Sequence, residues 1–107
     1  MVVLVTFPFS DLSMTKLRPA VVLADSGKDD WVLCQITSKS YGDAKAIILT
    51  NENFENGSLK IISYVRPGKL FTANNTIMVT EVGKLKNDIT RNIVVSVVNI
   101  IKSGIKN

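Results

Sequence analysis

The stretch "RPAVVLADSGKDDWVLCQIT" (Arg18–Thr37) decides the fold, because it predicts two strands joined by a tight turn. "AVVLAD" (Ala20–Asp25) and "WVLCQIT" (Trp31–Thr37) are rich in the β-branched and aromatic residues that favour strands. Between them, "DSGKDD" supplies the glycine and aspartates that are typical of a hairpin loop. The stretch therefore predicts an antiparallel hairpin.

Further segments of the chain carry the same strand pattern. They are Val2–Phe9, Ala46–Thr50 and Lys60–Arg66, followed by the shorter runs "KLFT" and "TIMVTEV". We expect the strand that begins at Lys60 to end at Pro67-Gly68. We expect Pro8 and Pro19 at strand ends or bulges, because proline cannot donate a hydrogen bond to a ladder. Many short strands in one small chain predict a curled sheet or a small barrel.

The last segment, "NDITRNIVVSVVNIIKSG", has a different periodicity. Its apolar residues recur at a helical spacing, which places Ile89, Ile93, Val97, Ile100 and Ile101 on one face. Asn87 or Asp88 is suited to cap the start of a helix, and Lys102 and Gly104 suit its end. The many β-branched residues also suit a strand, but the spacing favours a helix packed on the sheet.

Composition limits the class of protein. The chain has 107 residues, of which 46% are apolar, so we expect residues 1–107 to form a single domain. No secretory signal and no apolar run of membrane-spanning length is visible, which predicts a cytoplasmic protein. The net charge of +4 is compatible with a nucleic-acid partner, although most proteins of such charge bind none in particular.

The residues that are missing exclude several kinds of chemistry. Without histidine there is no Ser-His-Asp or Cys-His arrangement and no imidazole metal ligand. The single cysteine, Cys34, lies in an apolar stretch and is expected to be a buried thiol. No metal site or cofactor is expected. Arginine, lysine and hydroxyl groups remain, and these suit phosphate chemistry, in which a developing oxyanion must be stabilised.

Four sequence blocks occur in an order that is informative. They are "VTFPFSDLSMTKLRPAVVL" (Val5–Leu23), "VLCQITSK" (Val32–Lys39), "NGSLKIISYVRPGKLFT" (Asn56–Thr72) and "VGKLKND" before the predicted helix. In this order, and along almost its whole length, the chain resembles the MazF/PemK family of toxin ribonucleases from bacterial toxin–antitoxin pairs. The "FPF" and "SYVR" motifs resemble the PemK-like branch in particular.

The resemblance implies a fold and an activity. The fold would be mainly β: a small, strongly curved antiparallel sheet similar to an SH3-like barrel, as in MazF, PemK and CcdB toxins, with a C-terminal helix. The activity would be sequence-specific cleavage of single-stranded RNA without a metal ion, through attack of the neighbouring 2′-hydroxyl group. The implied partners are a second copy of the chain, with RNA at the interface, and an antitoxin. DNA would be contacted only through the antitoxin.

The resemblance also assigns catalytic roles. Arg18 would face the scissile phosphate and Thr37 would occupy the second catalytic position, while Arg66 matches an arginine that some PemK-like relatives use at the cleavage site. On residue type alone, a solvated charge at a strand end is the favoured explanation for Arg18. For Thr37, an ordinary strand hydroxyl and a catalytic group are about equally good explanations. The aspartate that follows the arginine in those relatives is replaced by Gly68, so its acid–base role does not carry over.

A second group of residues is expected to bind RNA without taking part in the chemistry. It consists of Asp11, Ser13, Thr15, Lys16, Ser38 and Lys69. Four of these lie in the loop from Ser10 to Leu17, which would form a lip over the RNA. A polar hairpin connection with no functional role is the alternative for this loop.

Three classes of function stay open on the sequence. The first is the endoribonuclease toxin, and the second is a nucleic-acid-binding module without catalysis. The third is a related toxin that acts on another target, such as gyrase, although the PemK-like blocks argue against it.

Overall fold

A computed structural model describes residues 1–8 and 15–105 of the chain. The strands are β1 (Val2–Pro8), β2 (Thr15–Gly27), β3 (Asp30–Thr37), β4 (Ile47–Leu49), β5 (Phe54–Gly57), β6 (Ser63–Asn74) and β7 (Met78–Leu85), and they are followed by helix α1 (Asn87–Ser103). The strands form one sheet in the order β4-β6-β3-β2-β1-β7-β5, and each paired neighbour is antiparallel.

The hairpin predicted from Arg18–Thr37 is present as β2 and β3. Its tip consists of Lys28 and Asp29, whose φ angles are 56° and 65°. Two consecutive residues with positive φ match the right-handed twist of the flanking strands, and this explains the tight connection. The preceding Gly27, with φ of 94°, adopts a conformation that glycine accepts at little cost.

The strong curvature of the sheet is shown by its hydrophobic core. One buried cluster takes side chains from all seven strands and from α1: Val2, Val21, Cys34, Ile36, Leu49, Phe54, Val65, Leu85, Ile89 and Ile93. Leu49 and Phe54 belong to the two edge strands, so both edges must curl towards the same core. The curled antiparallel sheet and the C-terminal helix therefore agree with the predicted fold class.

The strand predicted to end at Pro67-Gly68 instead continues as β6 to Asn74. The register between β3 and β6 shifts at this point, where Ile36 pairs with Val65 but Cys34 pairs with Leu70. The extra residues of β6 form a bulge, in which the missing N–H group of proline breaks no regular ladder. The predicted strand end was wrong because a bulge is defined by the register against the partner strand, which the sequence of one strand does not show.

Pro19 was expected at a strand end or bulge, but it lies inside β2, paired with Leu4 of β1. The Val22 N–H group donates to the Met1 carbonyl oxygen at 2.9 Å, so by alternation the nitrogen of Pro19 faces away from β1. On that side the ladder with β3 begins only at Ala20. The proline therefore interrupts no hydrogen bond. Pro8, as expected, is the last residue of β1.

Helix α1 covers the segment for which a helix was favoured. Ile89, Ile93 and Val97 are buried against the sheet, as the spacing predicted, whereas Ile101 is 61% exposed. The N-cap is Lys86, which makes no side-chain capping bond, so the predicted cap at Asn87 or Asp88 is wrong by one position or more. Gly104 is the C-cap, near the predicted end. Within residues 1–8 and 15–105, no helix is long and apolar enough to cross a membrane.

Candidate functional site

A groove opens where β2 and β3 separate. The ladder between these strands begins at Ala20 and Gln35. Arg18 precedes this pair on β2 and Thr37 follows it on β3, and both side chains line the groove. The two residues that the sequence resemblance selected therefore line the same groove, although 18 residues lie between them in the chain.

The groove has a volume of about 280 Å³. It is lined by Leu4, Lys16, Leu17, Arg18, Pro19, Ile36, Thr37, Ser38, Leu59, Ile61 and Ser63. Among these described lining residues two are cationic, three carry hydroxyl groups and none is acidic. Such a lining suits an anion bound over an apolar floor, because guanidinium and ammonium groups attract it and hydroxyl groups hydrogen-bond to it.

The hydroxyl groups of the groove differ in their hydrogen bonds. Thr37 is only 5% exposed, and its Oγ1 accepts the backbone N–H of Lys39 at 3.3 Å. This contact uses a lone pair and leaves the hydroxyl hydrogen for donation to a ligand. Ser63 instead donates its hydroxyl hydrogen to the carbonyl oxygen of Ile61 at 3.2 Å. Thr37 is therefore the better placed donor for an anion in the groove.

A second groove, of about 380 Å³, meets the first at Ile61. Its lining consists of Thr50, Asn51, Glu52, Lys60, Ile61 and Ile62. Ile61 and Ile62 are 63% and 57% exposed. The concave surface next to Arg18 therefore continues along the segment before β6.

Arg66 lies apart from Arg18 and Thr37, with which the sequence grouped it. It is not among the described residues that line the groove. Its side chain lies at the start of the β6 bulge, where Nε donates to Oδ2 of Asp43 at 3.1 Å. The guanidinium carbon lies 5.4 Å from the ring centroid of Tyr41. The structure therefore gives Arg66 a partner carboxylate and an aromatic neighbour that the groove lining lacks.

The residues expected to bind RNA are distributed over several places. Lys16 and Ser38 line the groove with Arg18, whereas Lys69 lines a separate pocket of about 250 Å³ beside Gln35, Leu70 and Phe71. Thr15 is the first residue of β2. Asp11 and Ser13 lie outside the described residues.

Cys34 has the buried position that the sequence predicted. Its side chain is fully buried, and its Sγ donates to the carbonyl oxygen of Arg66 at 3.0 Å. Burial raises the pKa of the thiol to about 12, so it remains protonated at neutral pH and is a poor nucleophile. In the part of the chain that the structure describes, no three histidine, cysteine or acidic side chains come together to hold a metal ion.

Two residues beside Arg66 were not selected from the sequence. Asp43 and Tyr41 belong to the connection between β3 and β4, and Asp43 is 23 positions from Arg66. The sheet order explains their position, because β3 and β4 lie on opposite sides of β6 and the segment that joins them must cross it. No local sequence pattern predicts this crossing.

Comparison with known proteins identifies the fold. At the level of sequence, no protein-family model matches the chain, and no curated protein matches it. Solved structures do match. The Mycobacterium tuberculosis toxin MazF-mt6 superposes with a TM-score of 0.67 at 15% identity, over 94% of this chain and 96% of the toxin.

A second match is an endoribonuclease in complex with its cognate antitoxin from a mycobacterial species. Its TM-score is 0.66 at 9% identity, over 94% of this chain and 89% of the other. Both matches span nearly the whole of each chain, so the likeness concerns the complete fold. The chain therefore has the MazF-like toxin fold, as the sequence resemblance predicted.

Proposed function

We propose that this chain is the toxin of a type II toxin–antitoxin pair and that it cleaves single-stranded RNA at specific sequences without a metal ion. The observation that carries the proposal is the groove that Arg18 and Thr37 both line. Its cationic and hydroxyl lining matches a phosphodiester, and the fold is that of toxins with ribonuclease members. Because messenger RNA is the proposed substrate, the cytoplasm is the proposed site of action.

Arg18 stabilises the transition state in this mechanism. The neighbouring 2′-oxygen bonds to phosphorus as the bond between phosphorus and the 5′-oxygen breaks; the 2′-hydroxyl proton passes to water, and water protonates the departing 5′-oxygen. Negative charge accumulates on the phosphoryl oxygens during this step. A guanidinium presents several N–H donors in a planar fork, so it can contact two of these oxygens at once. Arg18 is half-buried, and partial removal of water strengthens this electrostatic interaction.

Thr37 supplies a second, neutral contact. Its Oγ1 accepts the Lys39 N–H group, which fixes the position of the oxygen while the hydroxyl hydrogen can be donated to a phosphoryl oxygen. Histidine is absent from the sequence, and the described lining of the groove contains no carboxylate. The proposed catalysis therefore depends on charge stabilisation and on the nucleophile that the RNA itself carries.

Analysis of the RNA ends tests this proposal. The purified chain is incubated with mixed-sequence single-stranded RNA in excess EDTA, and the products are sequenced and their ends analysed. We expect cleavage at a short recurrent sequence with 2′,3′-cyclic phosphate ends. RNA that is bound and remains intact would instead favour the binding module without catalysis. Absence of both binding and cleavage would favour a toxin with a different target.

The proposed assembly is a homodimer that an antitoxin inhibits. The support for self-association is an apolar stripe on α1, formed by Val94, Val98 and Ile101, which are 39%, 40% and 61% exposed. These residues lie beside the stripe that packs on the sheet, so the helix presents more apolar surface than the core covers. Sedimentation at micromolar concentration should give twice the 11.7 kDa monomer mass. A monomer alone would contradict the dimer.

A further inference from the structure

The side chains around Arg66 form a cluster outside the groove. Tyr41 and Asp43, in the connection that crosses β6, lie against the guanidinium of Arg66. Tyr64 of β6 pairs with Thr37 of β3, and Arg66 follows two residues later, on the same face of the strand. The cluster is therefore displaced from the Thr37 position by roughly 7 Å along β6, since each strand residue rises about 3.3 Å.

Asp43 holds Arg66 in a fixed orientation. Its Oδ2 accepts from Nε of Arg66 at 3.1 Å, and its Oδ1 accepts the backbone N–H of Lys45 at 2.9 Å. The Lys45 N–H group, and after it Arg66, lower the pKa of the Asp43 carboxyl, which is therefore ionised at neutral pH. Both side chains are 20% exposed. Since this hydrogen bond uses Nε, the terminal nitrogens of the guanidinium provide further donors for an anion.

Tyr41 lies in a tight turn, followed by Gly42 with φ of 68°. The φ of Tyr41 is 54°, in the left-handed region, where a residue with a Cβ pays about 1 kcal/mol or more. The side chain is nevertheless 62% exposed, so burial recovers little of this cost. The turn from Ser40 to Asp43, closed by the Asp43 N–H donating to the Ser40 carbonyl oxygen at 3.0 Å, sets this conformation, and it leaves the ring against Arg66 with much of its surface open to solvent.

We propose that Tyr41 and Arg66 form a nucleotide subsite beside the groove, and that Asp43 is a positioning residue for Arg66. The base of a nucleotide next to the scissile phosphate stacks on the exposed part of the Tyr41 ring, and its phosphate binds the terminal nitrogens of Arg66. Aromatic rings and arginine are the groups that bind the bases and backbone of single-stranded nucleic acids. This inference rests on the proposed function, because it takes RNA as the ligand.

The test measures the affinity of the full chain for mixed-sequence single-stranded RNA in which every 2′-hydroxyl is methylated, so that 2′-oxygen attack cannot occur. Tyr41→Ala should weaken binding roughly tenfold, as loss of one base-stacking aromatic does. Tyr41→Phe keeps the ring and should bind like the wild type. Val79→Ala is the matched control, because Val79 is also exposed (55%) and lies on β7.

The role of Asp43 is tested by two variants that remove the same charge. Asp43→Asn retains an oxygen that can accept from Nε of Arg66, whereas Asp43→Ala does not. We expect Asp43→Ala to weaken binding roughly threefold and Asp43→Asn to restore most of the loss. The control is Glu55→Ala, which breaks the exposed ion pair between Glu55 and Lys84 and should not weaken binding.

Each outcome supports or contradicts either the nucleotide subsite or the ribonuclease activity. Wild-type affinity in Tyr41→Ala would overturn the subsite. Binding that is tighter by the same factor in both Asp43 variants would also overturn it, because loss of the negative charge alone would then explain the effect. Cleavage of unmodified RNA by the wild type is measured in parallel. A binding loss in Tyr41→Ala without any wild-type cleavage would support the subsite and contradict the ribonuclease. Cleavage by the wild type together with unchanged RNA binding by Tyr41→Ala would support the ribonuclease and contradict the subsite.

Discussion

Two arginines that the sequence grouped together have different surroundings. Arg18 lies in a groove whose described lining contains no carboxylate, beside hydroxyl groups and apolar side chains. Arg66 is held by Asp43 and lies against the ring of Tyr41. A carboxylate partner fixes a guanidinium but offsets part of its charge, so Arg66 is suited to hold a nucleotide in place. In the proposed mechanism, Arg18 contacts the phosphate on which charge develops during cleavage.

The two proposals place catalysis in the groove and nucleotide binding at the Arg66 cluster. Variants of the groove should change the rate of the chemical step, while variants of the Arg66 cluster should change affinity. The two regions are joined by the pairing of β3 with β6, so one extended RNA strand can contact both.

The largest expected effect concerns the substrate. Replacing the 2′-hydroxyl group with hydrogen at the scissile nucleotide should abolish cleavage, because the attacking group is lost. Binding should be nearly unchanged, since neither Arg18 nor the Arg66 cluster is proposed to contact that oxygen. Gel analysis of the products, with filter binding of the same RNA, measures both quantities. Cleavage of the modified RNA at the normal rate would exclude 2′-oxygen attack.

Thr37→Ala should have an intermediate effect on the rate of cleavage. One neutral hydrogen bond is worth about 1 kcal/mol, so we expect the single-turnover rate to fall roughly fivefold. Thr37→Ser retains the hydroxyl group and should preserve most of the rate. Ser63→Ala is a control, because the Ser63 hydroxyl hydrogen is already donated to Ile61. Equal losses in Thr37→Ala and Ser63→Ala would indicate a general disturbance of the groove.

The smallest expected effect concerns the stability that the Arg66 cluster contributes. The pKa of Asp43 is lowered from its ordinary value of 3.8, first by the Lys45 N–H group and then by Arg66. A lowered pKa in the folded state means that the contribution is present above pH 3.8 and disappears as the pH falls through the folded-state pKa. Asp43→Asn should therefore be slightly less stable than the wild type near neutral pH.

This stability difference should shrink in acid. Urea unfolding of the wild type and of Asp43→Asn at neutral pH and near pH 3 measures it. The matched variant Glu55→Gln, in an exposed ion pair, should show a smaller difference at either pH. A difference for Asp43→Asn that grows as the pH falls would contradict the ion pair.

Much of the fold could be predicted because its signals are local. The hairpin of β2 and β3 follows from strand-forming runs around a turn, and α1 follows from the spacing of Ile89, Ile93 and Val97. The bulge at Pro67 could not be predicted in this way. A proline and a glycine usually end a strand, and only the register of β3 against β6 shows that the strand continues. The short strand β5 was missed because Phe54–Gly57 has no strand pattern of its own.

The candidate site was accessible to sequence reasoning only in part. Arg18 and Thr37 were selected by resemblance to a family, and the structure places both in the lining of one groove. The partnership of Asp43 with Arg66 has no sequence signal. It depends on a loop that crosses β6, which follows from the order of the strands in the sheet.

Single-turnover cleavage by Arg18→Ala and Arg66→Ala at saturating enzyme tests the central claim most directly. Circular dichroism should show that both variants are folded. We expect Arg18→Ala to slow the chemical step by about a hundredfold or more, as loss of an oxyanion donor does, because saturation cannot restore transition-state stabilisation. Arg66→Ala should approach the wild-type rate once saturated. A folded Arg18→Ala variant that cleaves RNA at the wild-type rate would contradict the account.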